Sequence, residues 1–109
     1  MQQLLNMKKT VRLDDRAKRE IGKFPLAAQI KTTALLQALA RDGFLHEPYA
    51  KKLNNDLFEI RIKSKGQWRV LYAYLLQTEI LILSAFHKKT QKTPIFELTK
   101  AKQRLKEYQ

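Results

Sequence analysis

The chain has 109 residues, no cysteine, and 22 basic against 10 acidic side chains, a formal net charge of +12. The length fits one domain able to bury a core without staples, and 44% apolar residues exclude wholesale disorder. Missing thiols exclude disulfides, thiolate metal sites and thiol nucleophiles, while the charge predicts salt-sensitive attraction to nucleic acid first, an acidic protein second, an anionic membrane third.

In chain order, Met1 to Lys9 lacks an apolar signal-peptide core. No run reaches the roughly 18 apolar residues of a membrane span. A soluble, cytoplasmic protein is expected, as one domain over residues 1–109, with residues 1–13 either irregular or a short edge strand ending at Val11-Arg12-Leu13. A helix follows, capped by Asp14 or Asp15, with Ala17, Ile21 and Phe24 at helical spacing. Pro25 suits the start of a second helix. Leu26, Ile30, Thr33, Ala34, Leu36, Gln37 and Ala40 outline its repeat, and Gly43 suits a left-handed cap. The two helices form a hairpin. Phe44 to Asp56 reads as a connector punctuated by Pro48 and Asn54-Asn55-Asp56.

The period then changes to two. Phe58, Ile60 and Ile62 alternate with Glu59, Arg61 and Lys63, a half-buried strand. Ser64 to Gln67 is a turn. Trp68 to Leu76 and Glu79 to Phe86 are strands apolar on both faces and so central, joined at Gln77-Thr78. Thr93 is a good cap and Pro94 a good first residue for a final helix bearing Ile95, Leu98, Ala101, Leu105 and Tyr108. The fold class is α+β: a small antiparallel β-sheet with two N-terminal helices packed on one face and a C-terminal helix.

Between Arg61 and Lys92 stand seven Lys/Arg and one acid, Glu79. Scattered glycines exclude phosphate loops and dinucleotide motifs. Two unpaired histidines, His46 and His87, argue against a metal site, and no cofactor is expected. Glu59 and Glu79 have nothing to recommend them as a glycosidase pair. What remains is cationic. Arg61 and Lys63 share a strand face about 7 Å apart. Consecutive antiparallel strands would converge Arg61, Arg69, Lys88 and Lys89 on one groove. Such a groove can orient a ribose 2′-hydroxyl on its neighbouring phosphate and stabilise the phosphorane. Arginine grips phosphate with two parallel bonds, a lysine serves as base only if neighbours lower its pKa, and His87 is the nearby imidazole, a side-chain type suited to acid–base work. The plain alternatives are a solvated Lys/Arg face, ordinary surface histidines, and core packing in place of base stacking for Trp68 and Tyr72.

Leu57-Phe58-Glu59-Ile60-Arg61-Ile62-Lys63, Trp68-Arg69-Val70-Leu71-Tyr72 and Lys88-Lys89-Thr90-Gln91-Lys92-Thr93-Pro94, with Pro48-Tyr49-Ala50-Lys51-Lys52-Leu53 upstream, resemble the phage-derived HigB-type toxins of the RelE/ParE toxin–antitoxin superfamily. The resemblance implies a RelE-like sheet and a metal-independent endoribonuclease cutting messenger RNA on the ribosome. It implies as partner a HigA-like antitoxin with a helix-turn-helix domain; the residue patterns themselves lead to the expectation of no membrane and no small-molecule cofactor. It maps the phosphate work onto Arg61, Arg69 and Lys88 or Lys89. The reading gives Arg69 the scissile phosphate, Arg61 and Lys63 the RNA backbone, and Lys88, Lys89 and His87 proton transfer or the leaving side. Lys65, Thr90 and Lys92 are further RNA contacts. Two departures stand out: the family's tyrosine near the carboxy terminus has no clear counterpart, Phe96 being the nearest aromatic, and Glu59 stands where relatives carry a basic residue. The rivals are a ParE-like DNA gyrase inhibitor on the same fold and a non-catalytic nucleic-acid-binding module.

Overall fold

A computed structural model of the chain describes residues 9–109. Its elements are β1 (Thr10–Leu13), α1 (Asp15–Gly22), α2 (Leu26–Asp42), β2 (Ala50–Lys52), β3 (Phe58–Lys63), β4 (Gln67–Leu75), β5 (Glu79–Lys88) and α3 (Ile95–Lys106). Of residues 1–13, the strand alternative holds for Thr10–Leu13; residues 1–8 lie outside the described residues.

The strands form one sheet in the order β1-β5-β4-β3-β2. All neighbours are antiparallel except β1, which runs parallel to β5. Side chains of alternate parity enter two separate cores. Ile60, Ile62, Val70, Tyr72, Ile80 and Ile82 pack under Ala17, Phe24, Ala28 and Leu39 of the helical hairpin. Leu57, Leu71, Ala73, Leu81 and Leu83 pack under Ala101 and Leu105 of α3. The hairpin therefore takes one face and the C-terminal helix the other. That is why β4 and β5 are apolar on both sides while β3, nearer the edge, alternates.

Local signals place the ends of the elements. Asp14 caps α1, its carboxylate accepting from the backbone of Arg16 and Ala17. Gly43, at φ 81°, takes the left-handed position and returns its N–H to Leu39. Within the expected connector the structure has a further strand, β2, whose Ala50 sits opposite Ile60. Three residues, two of them exposed lysines, are too few to show a period. Thr93 does not cap α3. The residue preceding the helix is Pro94 and no side chain caps it, because the Thr93 hydroxyl is turned to Glu59.

β1 ends at Leu13, opposite Ile82, so the rest of β5 has no strand on that side. Glu20 of α1 and Arg104 of α3 close this edge. Glu20 Oε1 accepts from the Ala85 N–H at 3.1 Å, and Arg104 Nη1 donates to the Leu83 carbonyl at 2.8 Å. The two side chains also join each other through two bonds of 2.9 and 3.0 Å. Charged groups on an open edge discourage pairing with another chain.

Two carboxylates make stability depend on acid. The Arg16 guanidinium holds Asp14 well below the usual carboxylate range, against a smaller burial penalty and with the Tyr108 hydroxyl adding. Burial pushes Glu20 up, but the Arg104 fork and the Ala85 N–H outweigh it, so its pKa is lowered. A depressed folded pKa contributes stability that is complete above the unfolded value, about 3.9 for Asp and 4.3 for Glu, and is lost as pH falls through the folded value. The urea midpoint is therefore expected to stay level from neutrality to about pH 5 and drop below about pH 4. Asp14→Ala should cost about 1 kcal/mol at neutral pH through its lost cap and flatten the acid limb. A wild-type midpoint that climbs on acidification contradicts this.

Candidate functional site

The cations come together because β3, β4 and β5 are consecutive antiparallel neighbours. Arg61 faces Arg69, and Arg69 faces Phe86. One row nearer the turn between β3 and β4, Lys63 faces Gln67 and Gln67 faces Lys88. One row the other way, Glu59 faces Leu71. Paired residues and residues two apart share a face, so Glu59, Arg61, Lys63, Gln67, Arg69 and Lys88 all lie on the α3 side of the sheet.

Two like charges directly opposite on a sheet repel. The carboxylate of Glu59 resolves this. It is 2% exposed. Its Oε1 accepts from Arg61 Nε at 3.3 Å and lies 3.5 Å from Arg69 Nε, while Oε2 accepts the Thr93 hydroxyl. A buried carboxylate needs such donors to be tolerable. Two guanidiniums against one carboxylate leave the trio one unit positive.

Arg69 is the unusual member, a guanidinium only 6% exposed. Its Nη1 donates to the Trp68 carbonyl at 3.0 Å and the Gln67 side chain at 3.3 Å. Nε is buried and has no hydrogen-bond partner among the described residues. Burial pulls its pKa down, with the Glu59 charge opposing and Arg61 adding. The result is a desolvated, incompletely bonded cation whose strongest satisfaction is a further anion.

The remaining sequence candidates divide. Lys88 ends β5 beside Gln67, on the arginine face, with Nζ donating to the Gln91 carbonyl at 2.6 Å. Lys89 and Lys92 are exposed in the following loop, which ties itself through Thr90 Oγ1 to the Lys92 carbonyl at 2.6 Å. Lys63 is exposed at the end of β3, and Lys65 sits in the β3–β4 turn at φ 49°. His87 is not brought to the arginines. It pairs with Trp68 and stacks on its ring, centroids 4.2 Å apart, on the opposite face. The expected grouping of His87 with Lys88 and Lys89 fails because successive strand residues point to opposite sides. Trp68 in turn packs on Phe24 at 4.9 Å, and Tyr72 is fully buried; both are core.

Sequence reasoning missed Glu59 and Thr93 as site residues. The signal for Glu59 was present: an acid two residues from Arg61 on one strand face. Thr93 carried no such signal, since its position beside Pro94 fits a helix cap equally well.

A cleft of about 620 Å³ opens at this end of the sheet, lined by Lys31 and Leu35 of α2, Pro48 and Tyr49 of the connector, and Arg61 and Arg69. It wraps the edge of β3 where β2 no longer covers it. No helix among the described residues is long and apolar enough to cross a membrane.

Comparison with known proteins adds to this geometry. The sequence profile described as Phage derived protein Gp49-like matches residues 19–106. No curated protein sequence matches the chain. Among solved structures, an arginine-to-alanine double variant of the Escherichia coli toxin RelE in the free state superposes with TM-score 0.67 at 17% identity, covering 90% of this chain and 98% of that one. RelE in the intact Escherichia coli RelBE toxin–antitoxin complex gives 0.61 at 16% identity, over 75% and 99%. A chain of the RelBE2 toxin–antitoxin complex of Mycobacterium tuberculosis gives 0.56 at 23% identity, over 74% and 99%. The helical hairpin, the five strands, the helix behind them and the matched profile lead to one conclusion: the chain belongs to the phage-derived Gp49-like family and carries the RelE fold.

Proposed function

We propose that the protein is the toxin of a type II toxin–antitoxin module, a HigB-type endoribonuclease that cuts messenger RNA on the ribosome in the cytoplasm without a metal ion. One observation carries the reading: the half-exposed Arg61 and the buried, incompletely bonded Arg69 sit side by side over Glu59, one row from Lys88. That is a phosphate-sized cation pair with a third cation in reach. The RelE fold supports it, since the solved relatives described as toxins share it. The relatives held in toxin–antitoxin complexes support an antitoxin partner, here a HigA-like one.

The chemistry needs three things. The 2′-oxygen must attack phosphorus as the bond to the 5′-oxygen breaks. Charge on the phosphorane must be stabilised. A proton must leave the 2′-hydroxyl and another must reach the leaving oxygen. Arg69 offers the phosphate oxygens the guanidinium N–H groups that Trp68 and Gln67 leave over, with Glu59 beside it. Arg61 and Lys63 hold the backbone. Lys88 or Lys89 gives the leaving 5′-oxygen its proton while solvent water takes the one released by the 2′-hydroxyl, and Lys65, Thr90 and Lys92 extend the RNA contact. His87, on the far face, has no part in the step.

The test is sequencing of transcript 5′ ends after brief induction, with and without the adjacent gene product. Codon-phased cuts that the neighbour suppresses are expected. Gyrase-trapped DNA breaks without such cuts would replace this reading by a gyrase poison, and no toxicity with salt-sensitive binding would reduce it to a binding module.

A further inference from the structure

Tyr49 is a large aromatic left 55% exposed, and it lines the cleft that Arg61 and Arg69 also line. We propose that this cleft is a subsite for one unpaired nucleobase of single-stranded RNA, with the Tyr49 ring as its stacking platform. The inference deepens the ribonuclease reading, since it names the part of the substrate next to the phosphate held by the arginines.

The cleft has two kinds of wall. Leu35, Ile62 and Pro48 are apolar. Lys31 and Lys63 bring positive charge to the same cleft, and Lys31 Nζ is held there by the Lys63 carbonyl at 2.7 Å. A flat apolar body flanked by phosphates matches that combination, whereas an apolar peptide or lipid leaves the cations unanswered. A volume of about 620 Å³ lies within the range of sites that hold a small molecule.

Tyr49 is also fixed in place. Its carbonyl accepts from the Arg61 N–H at 2.8 Å and its N–H donates to His46 at 2.9 Å. The backbone that carries the ring is thus tethered to the residue that grips phosphate, so no loop has to be ordered when a base stacks there. Gln67 lines the same cleft. Its amide can offer donors to a base carbonyl or ring nitrogen while its oxygen accepts from Arg69. Trp68 and Tyr72 of β4 and Phe86 of β5, by contrast, pack against the two cores.

The probe is a short single-stranded 2′-O-methyl RNA, which cannot be cleaved, titrated onto the full chain by fluorescence anisotropy. Tyr49→Ala is expected to weaken binding by about 5- to 150-fold, the range for one stacked base. Tyr49→Phe should keep wild-type affinity. The salt slope should be the same in all three proteins, because stacking releases no counterion, whereas Lys63→Ala should lower it by about one. On an RNA carrying abasic positions, wild type should bind as weakly as Tyr49→Ala does on intact RNA. Equal affinity of wild type and Tyr49→Ala overturns the proposal. So does Tyr49→Phe losing as much as Tyr49→Ala, or abasic RNA binding the wild type at full strength. Binding of an uncleavable RNA is measured apart from transcript cutting, so a failure of the ribonuclease reading and a failure of the subsite are told apart.

Discussion

Arg69→Ala is expected to lower codon-phased messenger cleavage by about 10²–10³-fold, the cost of removing one preorganised donor from a developing oxyanion, while the protein stays folded. The fold persists because Glu59 keeps Arg61 and Thr93 as partners. Arg69→Lys should fail nearly as badly. An ammonium keeps the charge but not the planar fork, and it is more strongly hydrated than a guanidinium in a site that is almost wholly buried. Circular dichroism and urea melting establish that each variant is folded; 5′-end sequencing after induction reads the activity. A folded Arg69→Ala protein that cuts at the wild-type rate removes Arg69 from the mechanism.

Glu59→Ala is expected to be the more damaging change for stability, by about 3–5 kcal/mol, because it strands the buried Arg69 guanidinium without its counter-charge. It also leaves Arg61 and Arg69 facing each other unscreened. Replacing both charges with apolar groups should behave differently. Glu59→Leu/Arg69→Leu is expected to recover most of the loss, since buried ion pairs are often no more stabilising than well-packed hydrophobes, and yet to cut no RNA. Urea denaturation of wild type, single and double variants measures this directly. If Glu59→Ala melts with wild type, the carboxylate is not the support of the arginine pair.

Much of this arrangement is legible in the sequence where a strong period exists. β3 falls on Phe58–Lys63 as the alternation requires, and the doubly apolar strands are central, covered by helices on both faces. The convergence of Arg61, Arg69 and Lys88 follows from consecutive antiparallel pairing alone. Three things escape the sequence for physical reasons. β2 is set by its partner Ile60 rather than by its own pattern. The side of the sheet taken by α3 is a packing outcome, since its apolar stripe fits either face. Thr93 is drawn from the helix end to Glu59 because a buried carboxylate competes for a hydroxyl more strongly than a backbone amide near water. His87 shows the opposite hazard: adjacency in a strand reads as proximity, while the pleat sends it to Trp68.

The seal over the open half of β5 also has a temporal meaning. The cation pair and its carboxylate are complete once Thr93 has been added, but the edge of β5, where Glu20 already meets Ala85, also needs Arg104 at Leu83. A nascent chain emerging in order therefore cannot complete this seal before Arg104 of α3 is free to reach β5.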